Sequence, residues 1–271
     1  MKFECCVCDL DGTLLNSNME ISEESVKAIQ QLQECGITVI LATGRNDLYV
    51  KALAKQIGVS APIISCNGSL IREQSTGEVI YSRHLPCDHD RTMVEYCIRR
   101  GYDFTVSTYD CIYCRPDSKR VQLFHQYNNK VDPEFRVPLK ELTQAEELPL
   151  GSLLKLFIWR LSAEQVRKFE GQHNRAGLLS IVSSEKDGLD IMPQGVSKGA
   201  ALQYFANRQG IDLAHTMVFG DNYNDISMME LAGLPIAVAN AEQAVKQAAK
   251  YVTLSNDEDG VAHAIRKYIL T

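Results

Sequence analysis

The sequence predicts an α/β protein in which a doubly wound parallel sheet is interrupted by a separate α+β domain. Three observations carry that prediction. Short, continuously apolar runs end in acidic or small polar residues, helical periodicity fills the gaps between them, and the alternation stops near Asn67 and returns only near Ser197. Runs that are apolar throughout suit strands buried on both faces, and strands that alternate with helices form parallel sheets.

The elements follow in order. Lys2 to Cys8 is an apolar run ending in Asp-Leu-Asp-Gly-Thr, a buried strand that opens into a loop and leaves its carboxylates at the strand's C-terminal end. Ser22 with Glu23 and Glu24 supplies an N-cap and an acidic first turn. Val26, Ile29 and Leu32 then repeat at helical spacing until Cys35-Gly36 stops the run. A second strand, Thr38 to Leu41, ends at Ala42-Thr43-Gly44-Arg45, and a third, Pro62 to Ser65, ends at Asn67-Gly68. These three are expected side by side in a parallel, Rossmann-like sheet.

Short strands at Ser69 to Arg72 and Val79 to Ser82 flank a turn. A helix is expected at Asp88 to Arg100, two short strands within Asp103 to Arg115, a strongly apolar strand at Ser152 to Trp159 and a helix at Ala163 to Arg175. Tyr127 to Pro149, with Pro133 and Pro138, is the least regular stretch. From Ser197 the sequence predicts a helix to about Arg208, then Thr216 to Phe219 as strand, Asp225 to Ala232 as helix, Pro235 to Val238 as strand, Glu242 to Ala249 as helix, Tyr251 to Leu254 as strand, and a last helix. The split core is expected to span 1–84 and 190–271, with the inserted α+β domain at 85–189.

Composition bounds what such a protein can do. The 271 residues include 45% hydrophobic and 23% charged, enough for a folded core and unlike a disordered or collagen-like chain. Twenty-eight Lys and Arg face 34 Asp and Glu, a net charge of −6, so no basic surplus is available for nucleic acid or an anionic membrane. No apolar run approaches the roughly 20 residues needed to cross a bilayer, and Asp9 and Asp11 cut short any signal-peptide core. A cytoplasmic protein with reduced thiols is expected, because Cys5, Cys6 and Cys8 crowd one segment where mutual disulfides would be strained. A small-molecule partner is favoured.

Ligands of open parallel sheets bind beyond the C-terminal strand edge. Three strands end there in polar clusters: Asp9, Asp11 and Thr13; Thr43, Gly44 and Arg45; Asp221, Asn222, Asn224 and Asp225. Four carboxylates in one crevice stay ionised only if a cation joins them, and hard oxygen ligands favour Mg2+. A carboxylate is also a nucleophile toward a phosphate ester, giving an aspartyl-phosphate and splitting hydrolysis into two easier displacements.

Asp-Leu-Asp-Gly-Thr, Ala-Thr-Gly-Arg, Lys198 opening a helix, and Gly-Asp-Asn-Tyr-Asn-Asp at 220–225 resemble the four ordered motifs of the haloacid dehalogenase superfamily. The insertion between the second and third motifs and the spelling of the fourth look like the Cof-type phosphatases, across essentially the whole chain. The resemblance implies a Mg2+-dependent phosphatase of sugar phosphates or similar metabolites, with the inserted domain as a cap that closes over the crevice. It implies Asp9 as nucleophile and metal ligand, and Asp11 as general acid, then base, with its backbone carbonyl on the metal. Leu10, Thr43, Gly44, Lys198 and Asn224 would hold the phosphoryl group, Asp221 would be a further metal carboxylate, and Asp225 would support the ligands from behind. Cys8 departs from the aromatic or other apolar residue that often precedes the nucleophile; a small buried hydrophobe fits there.

Blander readings stand beside these. Thr43-Gly44 could merely turn the chain, and Lys198 could be an ordinary exposed lysine, although lysine disfavours the positive end of a helix. That placement is explained if an anion sits there. Arg45 and Asn67 are possible substrate contacts; Asn67-Gly68 is also simply a turn. Cys111-x-x-Cys114 has metal-ligand spacing but no second pair, and the six histidines lie outside all four motifs. Tyr102, Tyr109, Tyr113, Arg115 and Lys155 could face substrate, but strand packing explains most of them. Two rivals share the motifs: a phosphomutase, and a regulatory protein that binds a phosphate ligand without turnover. The second has no need of Asp11.

Overall fold

The computed structural model describes residues 3–85, 87–183 and 188–268, so Lys2 at the head of the expected first strand lies outside the described residues. The chain divides into two compact units, Met1–Tyr81 with Ser197–Thr271, and Ser82–Val196.

The first unit opens with β1 (Cys5–Cys8), α1 (Glu23–Glu34), β2 (Thr38–Leu41), α2 (Lys51–Gln56), β3 (Ile63–Ser65), β4 (Leu70–Arg72) and β5 (Val79–Ser82). The second carries α3 (Cys87–Arg100), β6 (Asp103–Ser107), β7 (Ile112–Cys114), α4 (Val121–Asn128), β8 (Leu139–Glu141), β9 (Lys155–Trp159), α5 (Ala163–His173), β10 (Leu179–Val182) and β11 (Gly188–Pro193). The first unit resumes with α6 (Lys198–Gln209), β12 (Thr216–Gly220), α7 (Ile226–Met229), β13 (Leu234–Ala237), α8 (Gln243–Ala248), β14 (Tyr251–Val252) and α9 (Gly260–Tyr268).

Its main sheet has the order β14-β13-β12-β1-β2, every pairing parallel. Alternation along the strands sorts the core into two faces. Cys6, Cys8, Leu41 and Phe219 pack with Ile29 and Leu32 of α1 and Ile265 of α9, whereas Cys5, Val7, Ile40 and Val218 pack with Leu202 and Phe205 of α6 and Met228 of α7. That is the doubly wound arrangement, and truncating a buried leucine such as Leu32 to alanine costs about 2–5 kcal/mol. α1 starts where expected, with the Ser22 hydroxyl accepting from the Ser25 N–H at 3.1 Å.

The third expected strand departs from the plan. β3 touches the parallel sheet only through the isolated bridge Ala42 to Ile64, and its ladder is antiparallel, with β4, in a three-stranded sheet of order β3-β4-β5. The reason is local: the tight turn at Asn67-Gly68 sends the chain straight back along β3 before any crossover helix can form.

In the second unit a six-stranded sheet of order β10-β11-β9-β6-β7-β8 is antiparallel except for β7 with β8. Its core joins Phe104, Val106, Leu156 and Ile158 to Met93 and Val94 of α3 and Phe169 of α5. The position 190 at which the sequence reading returns to the core falls inside β11, whose ladder with β9 belongs to this unit. Among the described residues no helix is long and apolar enough to cross a membrane.

Candidate active site

β1 and β12 are parallel neighbours, with Cys8 opposite Phe219, so the residues that follow them emerge side by side at the C-terminal edge of the sheet. Asp9 follows β1, and Asp221 and Asp225 follow β12. The three bring carboxylate oxygens within 4.8 Å of one another. Lys198, at the first turn of α6, is fully buried among them: its Nζ donates to Asp9 Oδ1 at 2.5 Å and to Asp225 Oδ1 at 2.7 Å. The ammonium at the positive end of a helix is thereby offset by two anions, which settles the anomaly seen in the sequence. Gly199 lets it happen. A Cβ there would stand 2.1 Å from the Ser227 carbonyl oxygen, so only glycine permits α6 to approach α7 closely enough.

Asp225 is fully committed. While Oδ1 takes Lys198, Oδ2 accepts the backbone N–H groups of Asp221 at 2.9 Å and Asn222 at 3.0 Å. It therefore shapes the fourth-motif loop and supports the lysine. Asp221 accepts from the Thr13 hydroxyl at 2.9 Å, which joins the first-motif loop to the fourth.

Asp11 lies on the same loop but turns elsewhere. Its carboxylate, 40% exposed, accepts a bidentate pair from Arg45 at 2.8 and 2.6 Å. The Arg45 guanidinium is also stacked 4.4 Å from the Tyr49 ring centroid. The two cations thus serve different carboxylates: Lys198 joins Asp9 and Asp225, and Arg45 holds Asp11.

Thr43 is buried after β2, and its hydroxyl accepts the Arg45 N–H at 3.1 Å. Its carbonyl accepts the Asn67 N–H at 3.0 Å. Asn67, in the left-handed region at φ 56°, is buried against Gly44 and accepts from Asn224 Nδ2 at 3.0 Å. Asn67 and Asn224, read separately in the sequence, are one hydrogen-bonded pair, and Asn224 Oδ1 is buried with no hydrogen-bond partner. Leu10 is buried, and its carbonyl collects the N–H groups of Thr13, Leu14 and Leu15.

Electrostatically the cluster is short of positive charge. Burial, then Asp225, pushes the Asp221 carboxyl up to about 7 against the pull of Thr13 and Lys198. Burial also drives Asp9 well above the usual carboxylate range despite Lys198, with Asp225, Asp221 and Asp11 adding to the rise. Burial opposes the Lys198 charge, but Asp225 and Asp9 outweigh it and hold the ammonium protonated. Three carboxylates against one ammonium leave room for a cation, and the oxygen-only donor set suits a hard one. Since both Asp225 oxygens are spent, Asp9 and Asp221 are the carboxylates that fit as ligands. The cluster is thus a candidate metal centre.

The structure brings Asp9, Lys198, Asp221 and Asp225 into direct contact, pairs Asp11 with Arg45, and joins Thr43, Gly44, Asn67 and Asn224 through hydrogen bonds and packing. Sequence reasoning passed over Asp47, fully buried within 3.5 Å of Arg72 Nε. Its only sequence signal was an acid just after Ala-Thr-Gly-Arg-Asn. Burial raises its carboxyl above the ordinary range, against the pull of Arg72 and Lys51.

A buried aspartate–lysine cluster thus lies beyond the edge of a doubly wound sheet, and comparison with known proteins identifies the class. Residues 6–265 match the family model for haloacid dehalogenase-like hydrolases. The 5-amino-6-(5-phospho-D-ribitylamino)uracil phosphatase YcsE of Bacillus subtilis is 31% identical over 264 residues, covering 97% of this chain and 94% of its own. The pyridoxal phosphate phosphatase YbhA of Escherichia coli is 27% identical over 265 residues, covering 97% of each. A haloacid dehalogenase-like hydrolase of Bacteroides thetaiotaomicron superposes with a TM-score of 0.83 at 29% identity, over 98% of this chain and 99% of that one. The chain belongs to the haloacid dehalogenase-like hydrolases, among the Cof-type phosphatases.

Proposed function

We propose that this protein hydrolyses phosphomonoesters of small metabolites, sugar phosphates or chemically similar compounds, through a phosphoaspartate on Asp9 and with Mg2+ as cofactor. The observation that carries the reading is the buried Asp9 carboxylate held by Lys198 beside Asp221 at the edge of the sheet. The substrates named for YcsE and YbhA, 5-amino-6-(5-phospho-D-ribitylamino)uracil and pyridoxal phosphate, support a small phosphorylated metabolite.

In the first displacement an Asp9 oxygen attacks phosphorus, the ester P–O bond breaks, and Asp11 delivers its proton to the leaving oxygen. Asp11 must therefore enter this step protonated, with at least one Arg45 bond released. In the second, the Asp11 carboxylate takes a proton from water, the water oxygen attacks phosphorus, the acyl phosphate bond breaks, and inorganic phosphate leaves with Asp9 restored. Thr43, whose hydroxyl accepts Arg45 N–H and keeps its own hydrogen to donate, would hold phosphoryl oxygens with Leu10 and Gly44 N–H groups, Lys198 and Asn224. Mg2+ held by Asp9, Asp221 and the Asp11 carbonyl would supply charge neutralisation for an incoming dianion. Asp225 would keep Lys198 and the fourth-motif loop in place. The inserted unit would set the leaving-group preference.

The test separates the two aspartates. After brief incubation with an activated ester and acid quenching, mass spectrometry should find added phosphate on the peptide containing Asp9, accumulating in Asp11→Asn and absent in Asp9→Asn. Label on another residue, or equal labelling of Asp9→Asn, would overturn the assignment. A panel of phosphorylated metabolites ranked by kcat/KM would name the substrate class.

A further inference from the structure

We propose that Asn240 is a positioning residue for Asp11: with Asn256 and Asp257 it braces the loop carrying Asp11 against the loop carrying Asp221. The proposal rests on the reading of Asp11 as general acid and base.

The first-motif loop needs such support. Gly12 sits at φ 78°, a conformation only glycine adopts freely, and a Cβ there would stand 2.5 Å from Asp221 Oδ2. One side of the loop therefore lies hard against Asp221, tied by the Thr13 hydroxyl. The other side is held from the turn after β13. Asn240 Nδ2 donates to the Gly12 carbonyl at 2.7 Å, and two residues on, the Glu242 N–H donates to the Asp221 carbonyl at 2.9 Å. A single turn thus grips the backbone beside both aspartates.

That turn is itself anchored. Asn240 Oδ1 accepts the Asn256 N–H at 3.0 Å, Asn256 Nδ2 donates to the Leu15 carbonyl at 2.9 Å, and Asp257 accepts the Ser17 N–H and hydroxyl at 2.7 and 2.6 Å. The segment that supplies Asn256 and Asp257 has a fixed shape: Ser255 and Glu258 form a capping box, and a Cβ on Gly260 would lie 2.1 Å from the Leu254 carbonyl oxygen. Local capping accounts for Ser255 and Glu258. It does not account for three side chains that reach across about 240 positions of sequence to successive groups of the Asp11 loop. Since Asp11 is joined directly to Gly12, a shift of the Gly12 carbonyl displaces the acid from the leaving oxygen while leaving Thr43 and Lys198 untouched.

The experiment measures single-turnover phosphorylation of the enzyme by an alkyl phosphate, whose leaving oxygen needs a proton, and by an aryl phosphate, whose leaving group does not. Asn240→Ala should slow the alkyl ester about fivefold and the aryl ester less than about twofold, with KM and inhibition by inorganic phosphate unchanged. Asn256→Ala, which keeps the Gly12 bond but loosens its anchor, should show a smaller split in the same direction and serves if Asn240→Ala fails to fold. Equal slowing of both esters, no slowing, or a changed phosphate affinity would overturn the brace. Asp11→Asn run in parallel should show the largest split; if it shows none, the reading of Asp11 is at fault and the proposal falls with it.

Discussion

Lys198 is the residue on which the cluster turns, because it is the one described cation buried between Asp9 and Asp225. Replacing it with methionine should abolish turnover and lower stability by about 3 kcal/mol at pH 8, the usual cost of stranding buried charges. The sign of the pH dependence follows from the raised Asp9 and Asp221 carboxyls. Acids that bind a proton more tightly when folded lose that stability as pH rises above the ordinary 3.8, through about 7 for Asp221, and Asp9 shifts in the same direction. Lys198→Met should therefore cost less at pH 5, where the stranded carboxylates can protonate; equal losses in urea melts of metal-free protein at the two pH values would contradict an ionic cluster. Chelation should abolish phosphatase activity and Mg2+ restore it, whereas full activity in verified metal-free protein would contradict the proposed cofactor. The thiols of β1 are a second residue-scale case. Burial pushes Cys5 up to about 12, while the Cys8 hydrogen bond and burial raise Cys6, so at pH 8.5 iodoacetamide should label exposed Cys35 and spare Cys5, Cys6 and Cys8.

At the scale of elements, α6 carries the lysine and α7 receives the helix. Gly199→Ala forces a Cβ into the Ser227 carbonyl, so melting temperature and kcat should fall together, with a stability loss of about 2 kcal/mol. In the second unit His173 closes α5. Its ring lies 4.9 Å from Tyr96 and 4.8 Å from Phe169, and burial, with His89 nearby, lowers its basicity to about 4. A histidine that resists protonation when folded stabilises the fold above the ordinary 6.5 and loses that contribution as pH falls from 6.5 toward 4. Unfolding midpoints followed across this range should drop more steeply in wild type than in His173→Phe, and parallel slopes would rule the histidine out. α4, β8, β10 and β11 have no counterpart in the sequence reading, and the first two share a cause. α4 buries only Phe124 of its eight residues, and β8 exposes Lys140 and Glu141, so neither presents a broad buried face.

For the whole molecule, the two units have separate hydrophobic cores, one divided across the faces of the parallel sheet and one between the mixed sheet and α3 and α5. In the proposed function the chemistry lies in the first unit and the substrate preference in the second. Exchanging Ser82–Val196 for the corresponding segment of YbhA should reorder the ranking across a panel of phosphorylated metabolites while changing the rate on a small aryl phosphate far less. An unchanged ranking would place specificity in the first unit.

The strand ends that carry Asp9, Thr43 and Asp221 were legible in the sequence because continuous burial of a parallel strand is a local pattern, and so was α1, whose Ser22 cap and Gly36 stop are nearest-neighbour chemistry. The order of the four motifs along the sequence points to the family. What only the tertiary structure decided were the pairings: Arg45 on Asp11, Lys198 shared between Asp9 and Asp225, Asn224 on Asn67, and Asn240 on Gly12. Tertiary packing likewise kept β11 in the second unit, whereas the antiparallel ladder of β3 follows from the local turn at Asn67-Gly68. The reason is physical. Burial periodicity and capping are written within a few residues of each other, whereas the partner of a buried charge or amide is chosen by which loops the sheet brings together across the length of the chain.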